Sequence, residues 1–184
     1  MPEILPLVAV VAPLVGALLV RVVGDSAPPR VIAVLATLTS LVCSLRPNSL
    51  DALSHFAMVL YAGLVCVVLI AAPKRDASPA DQAGTLLLLA GTLAVYSTDN
   101  LLVLLAGWIV SILPLWERPK DSTASWFLPR FMLGVSTVAL GVAIVLIGME
   151  AQGAGVAHPY SLAALQGVKV IDNQAVYALS LIHI

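Results

Sequence analysis

Phe131-Met132-Leu133-Gly134-Val135-Ser136-Thr137-Val138-Ala139-Leu140-Gly141-Val142-Ala143-Ile144-Val145-Leu146-Ile147-Gly148-Met149 is a run of nineteen residues without a charged side chain. A helix rises about 1.5 Å per residue, so such a run spans nearly all of a hydrocarbon core about 30 Å thick. Five more stretches read the same way: Ile4–Val20, Val31–Leu45, Ala52–Pro73, Gln82–Thr98 and Asn100–Trp116. Among groups that titrate near neutral pH, cysteine aside, the six contain only His55, close to one end. Lipid offers no hydrogen bonds, and a helix satisfies its own backbone. Val31–Leu45 is the shortest stretch, but Arg30 and Arg46 beside it could reach out to the headgroups. The fold class is therefore all-α. The expected architecture is a polytopic transmembrane bundle of about six spanning helices, over 4–23, 31–45, 52–72, 82–98, 100–116 and 131–149.

Composition points the same way. The 184-residue chain is 60% hydrophobic and 10% charged, with a mean hydropathy of +1.03. A typical soluble domain is about 25% charged. The net charge of −1 and the lack of any basic run give no reason to expect nucleic acid as a partner. Cys43 and Cys66 both fall in apolar stretches and read as small buried hydrophobes, not as a disulfide or metal pair. Glu3 precedes the first apolar run and Arg21 follows it, the reverse of the charge order in a secretory signal.

The remaining charges predict orientation. With six helices the connections alternate between two sides. One side holds Arg21, Arg30, Lys74, Arg75, Arg118, Lys120 and Arg130, and the other holds Arg46 and Lys169. Positive residues collect on the cytoplasmic side, so the N-terminus and the segment after Met149 are expected outside. Short connections leave no room for a soluble domain, and 1–178 reads as a single transmembrane domain. Ser97–Asn100 is a tight turn that makes the fourth and fifth helices antiparallel neighbours. Pro6, Pro13 and Pro114 lie inside apolar runs, where a neighbouring helix or water must satisfy the carbonyl each one frees. Gly134, Gly141 and Gly148 recur at seven-residue spacing and predict a packing seam along helix six.

Residues 150–175 are rich in Gly and Ala and read as an outer loop or surface helix, and renewed apolarity near Val176 predicts the start of a seventh helix. The last six residues, Leu179-Ser180-Leu181-Ile182-His183-Ile184, match the translation of the transposase mosaic-end adapter of sequencing libraries. The expectation is that 179–184 derive from adapter DNA, that His183 is no ligand, and that the natural chain is longer, so that this one is a truncated bundle.

Identity is carried by Ser97-Thr98-Asp99-Asn100-Leu101-Leu102-Val103-Leu104-Leu105-Ala106-Gly107-Trp108-Ile109-Val110-Ser111-Ile112-Leu113-Pro114-Leu115-Trp116. This segment resembles the fourth-to-fifth helix region of the antiporter-like subunits of respiratory complex I, a family shared with cation/proton antiporters and membrane-bound hydrogenases. That family reads roughly S-x-D-L-L-x-L-(x)n-W-E-L-x-x-[IL]-P-[LM]-Y. Ser97 and Asp99 match the turn, Trp108 the tryptophan and Pro114 the proline, while Trp116 takes the tyrosine place. Arg130-Phe131-Met132-Leu133-Gly134 with Ser136 resembles the opening of the family's sixth helix. The resemblance covers roughly residues 52 to 150. It implies a membrane subunit of a proton- or cation-translocating complex of the respiratory or antiporter type, such as a non-redox subunit of an NADH-quinone oxidoreductase-type translocase, a hydrogenase-type assembly or a multi-subunit antiporter, multi-pass in a bacterial-type inner or plasma membrane. It implies no cofactor in this chain, no catalysis by the chain alone, and other membrane subunits as partners.

One departure weighs as much as the match. The family has a membrane-buried glutamate after the tryptophan, paired with a lysine on a later helix. A carboxylate beside a movable cation can change protonation state, which proton transfer needs. Here the position is Ile109, which binds no proton. Glu117 is eight residues on, about 12 Å along a helix, and cannot stand in for it. The expectation is a scaffold or degenerate half-channel. Lys169 reads as a solvated loop charge. His55 reads as an interfacial side chain, with a proton relay as the alternative. Asp99 reads as the cap of helix five, with proton entry as the alternative. Ser111, Ser136 and Thr137 are expected to bond their own helix backbones. There is no phosphate loop, metal spacing or Ser/His/Asp set. The residues alone also allow an unrelated transporter or membrane anchor in which the Trp…Pro spacing is accidental.

Overall fold

The computed structural model describes residues 4–24, 28–46, 51–72, 78–116 and 127–165. The expected seventh helix near Val176, the adapter-like 179–184, Lys169, His183 and residues 166–175 of the outer loop lie outside these. Described residues form α1 (Ile4–Val23), α2 (Pro29–Ser44), α3 (Ala52–Ala71), α4 (Pro79–Tyr96), α5 (Leu101–Trp116), α6 (Phe127–Gly153) and a single turn, α7 (Leu162–Leu165). Among them there is no strand, only one isolated bridge between Asn100 and Ser161. Described residues fall into two compact units, one within Met1–Ser97 and Gly107–Pro114, the other within Thr98–Ala106 and Leu115–Ile184.

Among the described residues, three helices are long and apolar enough to cross a membrane: Leu5–Val23, Ala52–Ala71 and Phe127–Gly153. Pro29–Ser44 and Leu101–Trp116 are shorter apolar helices. The pattern of burial fits lipid as solvent. Inside the first unit the core includes Ala9, Ala17, Ala33, Ala62 and Ala83, joined by Met58, Leu86, Leu89 and Leu93. Large apolar side chains face outward instead, among them Leu7 and Leu18 on α1, Phe56, Leu60, Leu64 and Val67 on α3, and Val138 and Met149 on α6. In water so much contiguous apolar surface would drive association. In a bilayer, small residues inside let backbones approach, and large ones outside meet lipid tails.

Several helix ends depart from the expected bounds, each for a local reason. Helix α4 starts at Pro79, three residues early. Ser78 accepts from the Asp81 amide at 3.1 Å and donates to the Asp81 carboxylate at 2.6 Å, while Pro79 occupies the first turn, where no N–H is needed. Helix α2 likewise starts early, with Pro28 at its cap and Pro29 in its first turn. Helix α6 runs four residues past Met149. It ends where Gly155 takes φ +79°, with Gly155 N–H donating to Gln152 O and Val156 N–H to Ala151 O. That paired set is a Schellman cap, which needs a residue at ease in the left-handed region. The connection after α6 therefore begins at Ala154.

Helix α3 is capped by Asp51, whose carboxylate accepts from the Ser54 amide at 3.0 Å. Hydrogen bonds from the Ser54 side chain and then its amide hold the Asp51 carboxyl below its ordinary value of 3.8. A lowered carboxyl stabilises the fold above the unfolded-state value, and that contribution disappears as the pH falls through the lowered one. Thermal unfolding of Asp51→Asn beside the parent in micelles checks this. The melting temperature of the parent should exceed that of the variant at about pH 6, and the gap should vanish at about pH 2.

Pro13, buried in α1, has no N–H to give the Ala9 carbonyl one turn back. Ser40 of α2 supplies the missing donor, its hydroxyl lying 2.8 Å from Ala9 O, closer than the 3.2 Å to Ala36 O in its own helix. The sequence-level requirement for a neighbour at this proline is thus met by one named side chain. Ser40→Ala should cost about 1 kcal/mol, the usual worth of such a bond in a membrane bundle. Pro13→Ala restores the N–H, so in that background Ser40→Ala should cost much less. A double-mutant cycle on detergent unfolding reads the coupling.

Arg30 donates a guanidinium N–H to the carbonyl of Ile70, in the last turn of α3. The start of α2 and the end of α3 therefore share one end of the first unit, as alternating connections require. A cation on a terminal carbonyl also suits the negative end of the helix dipole.

Candidate functional site

Helix α5 holds most of the family-like positions, and its packing begins with what its sequence lacks. Over Leu101–Trp116 it carries no ionisable side chain. The second half packs on α4 through small residues. A Cβ on Gly91 would lie 2.5 Å from both Gly107 O and Ser111 N, and one on Gly107 would lie 2.9 Å from Gly91 O. A Cβ on Gly84 would lie 3.2 Å from Pro114 Cβ. Gly84 meets Pro114, and Gly91 meets Gly107 and Ser111, so the two helices run antiparallel with backbones in contact. No side chain or water fits between them there.

Trp108, Ile109 and Pro114 sit on this half of the helix. Ser111 donates to Trp108 O at 2.7 Å, and Thr137 on α6 donates to Leu133 O at 2.8 Å, as expected for hydroxyls bonded to their own helices. Ile109 is 40% exposed, turned away from the glycine contact. Ser97 ends α4, its hydroxyl 3.2 Å from Ala94 O.

The turn into α5 corrects one expectation. Asn100, not Asp99, caps the helix: its side-chain oxygen accepts from the Leu102 amide at 2.9 Å. The helix starts at Leu101, so Asn100 stands where a capping acceptor reaches the second amide, and Asp99 is one residue too early. Asp99 ties down the segment after α6 instead. Its carbonyl accepts from Leu162 N–H at 2.7 Å, and its carboxylate lies 3.4 Å from the Ser161 hydroxyl. In return Leu101 N–H donates to Tyr160 O at 2.9 Å. Two amides that helix starts leave without internal partners are thereby satisfied reciprocally.

Helix α6 uses its glycine seam as expected. A Cβ on Gly134 would lie 3.8 Å from Trp116 Cζ2, and one on Gly141 the same distance from Leu105 Cδ2. At Gly148 the ring of Tyr160 lies directly on the helix. Beside this seam, at the Arg130 end, Trp116, Phe127, Arg130 and Phe131 open a groove of about 790 Å³ that continues along Val135, Val138 and Val142. The rings of Phe127 and Phe131 stack with centroids 5.9 Å apart. Sequence reasoning did not find this groove, because Trp116 and Arg130 lie on different helices.

His55 lies half-buried one turn into α3, its Nδ1 shielded from solvent and without a hydrogen-bond partner among the described residues. Cys43 and Cys66 are free thiols. Among the described residues no group of His, Cys, Asp or Glu is placed to hold a metal ion. Of the family-like positions, Ser97, Trp108, Ile109 and Pro114 belong to the first unit and Asp99 and Arg130 to the second.

Helices of this apolarity, with large side chains outward and small ones inward, define an all-α membrane protein. No protein-family model, no curated protein and no solved structure matches the chain.

Proposed function

We propose that the chain is a membrane subunit of a proton- or cation-translocating complex of the respiratory or antiporter type, and that α5 serves in it as a scaffold. The resemblance in 97–116 motivates the first half of this reading. The second half rests on a single observation: α5 is uncharged throughout, packs backbone to backbone on α4, and presents Ile109 where a proton carrier would stand. A proton pathway needs a group that binds and releases a proton, with a cation or water nearby to shift its affinity. Isoleucine offers neither, and the glycine contact excludes water from the other side of the helix. Any coupling in the assembly then runs through other helices. Redox cofactors, where the assembly has them, belong to partner subunits, and the charge split between connections favours a cytoplasmic position for the Arg21 and Arg30 end.

The test is isolation of the tagged chain from its native membrane in mild detergent. Stable co-purification with further membrane subunits supports the reading, whether they bear flavin or iron–sulfur absorption or form a cofactor-free antiporter assembly. A homogeneous species made of this chain alone would contradict it.

A further inference from the structure

We propose that the groove at the Arg130 end of α6 binds an anionic phospholipid, with its phosphate on the Arg130 guanidinium and one acyl chain lying along Val138 toward Val142. This proposal is independent of the assembly in which the chain serves. Arg130 and Glu150 are twenty residues apart on one helix, about 30 Å, which matches the thickness of the hydrocarbon core. Arg130 therefore lies at one headgroup level. Trp116 lies beside it, and tryptophan gathers at that depth, while Phe127 and Phe131 line the apolar wall. From Arg130 to Val142 is about 18 Å along the helix, slightly more than one leaflet of hydrocarbon. The groove thus has a cation at its mouth and only apolar walls below, over the length of a single acyl chain.

Packing argues against another helix as the occupant. The small residues of α6 that would let a helix approach are already taken, Gly134 by Trp116, Gly141 by Leu105 and Gly148 by Tyr160. The face left open offers exposed Phe127, Phe131, Val135, Val138 and Val142, a surface suited to a flexible chain. Among phospholipids, the half-buried guanidinium selects for net negative charge.

The experiment uses the full chain with Trp108→Phe and Trp126→Phe, so that Trp116 alone reports. It is reconstituted in vesicles of phosphatidylcholine with graded phosphatidylglycerol, one or the other brominated in its acyl chains. Trp116 fluorescence should be quenched by either brominated lipid. Phosphatidylglycerol should be preferred about fivefold, the factor expected for one basic side chain meeting an anionic headgroup. Arg130→Gln should abolish the preference while leaving quenching by phosphatidylcholine. Arg130→Lys should keep most of it, which separates lost charge from lost fold. Inorganic phosphate should not relieve quenching. Equal quenching by both lipids in the parent, an unchanged preference in Arg130→Gln, relief by inorganic phosphate, or no quenching at all because protein covers the groove would each overturn the proposal.

Discussion

Replacing Gly91 by alanine should force α4 and α5 apart. The new Cβ would meet Gly107 O and Ser111 N at 2.5 Å, well inside contact distance. Both are backbone atoms, so no rotamer change relieves the clash and the helices themselves must move. Overpacking of this kind costs about 1–3 kcal/mol for a small group, and Gly91→Leu should cost more and open the α4–α5 hairpin. Gly63 supplies the control. Its nearest neighbour would be Leu41 Cδ1 at 3.9 Å, which is ordinary contact. Gly63→Ala should therefore stabilise, by up to about 1 kcal/mol from helix propensity alone. Unfolding followed by circular dichroism during titration with a denaturing detergent measures both. If the two alanine variants shift stability in the same direction, the close crossing is absent from the folded protein.

Ile109→Glu should be the most damaging point change in the second half of α5 outside the glycine contact. Ile109 stands 40% exposed on a helix that carries no basic side chain. A lone acidic group at this depth costs about 2.5–3.5 kcal/mol on insertion scales. Ile109→Leu conserves volume and apolarity and should be nearly neutral. The yield of folded protein in the membrane, compared between the two variants, checks the sign. An Ile109→Glu variant as stable as the parent would reveal a cation facing this position, and α5 would then be a dormant ion site in place of a wall.

Much of the fold is legible in the sequence because the bilayer imposes one rule on every segment. Six uncharged runs correspond to six helices, three of them long and apolar enough to cross a membrane. The helix ends were less legible. Ser78-Pro79-Ala80-Asp81 is a cap followed by a tolerated proline, yet its polar residues make the first turn of α4 look like loop. At the other end, the Gly155 signal that stops α6 lies within a Gly/Ala-rich stretch and is hard to separate from its neighbours.

The candidate site was legible in part. That Ile109 cannot carry a proton follows from its chemistry alone. Asp99 and Asn100 are both good capping residues, and choosing between them needs the first helical residue to within one position. The partners of Pro13 and Gly91 could not be read at all. Sequence shows that a carbonyl is freed or a side chain is missing, and only packing shows that Ser40 and Gly107 answer them. The Arg130 groove belongs to the same class, since its walls come from two helices.

The central claim, that α5 is a proton-inert wall, is tested most directly by ion translocation in reconstituted vesicles. In the translocating assembly proposed above, complexes carrying Ile109 or Ile109→Ala would be compared for protons moved per electron transferred, or per cation exchanged. A smaller apolar side chain weakens packing and leaves proton chemistry untouched, so the ratio should be the same for both, with any loss confined to stability. A lower ratio for Ile109→Ala in a fully assembled complex would contradict the account and make α5 part of the coupling path.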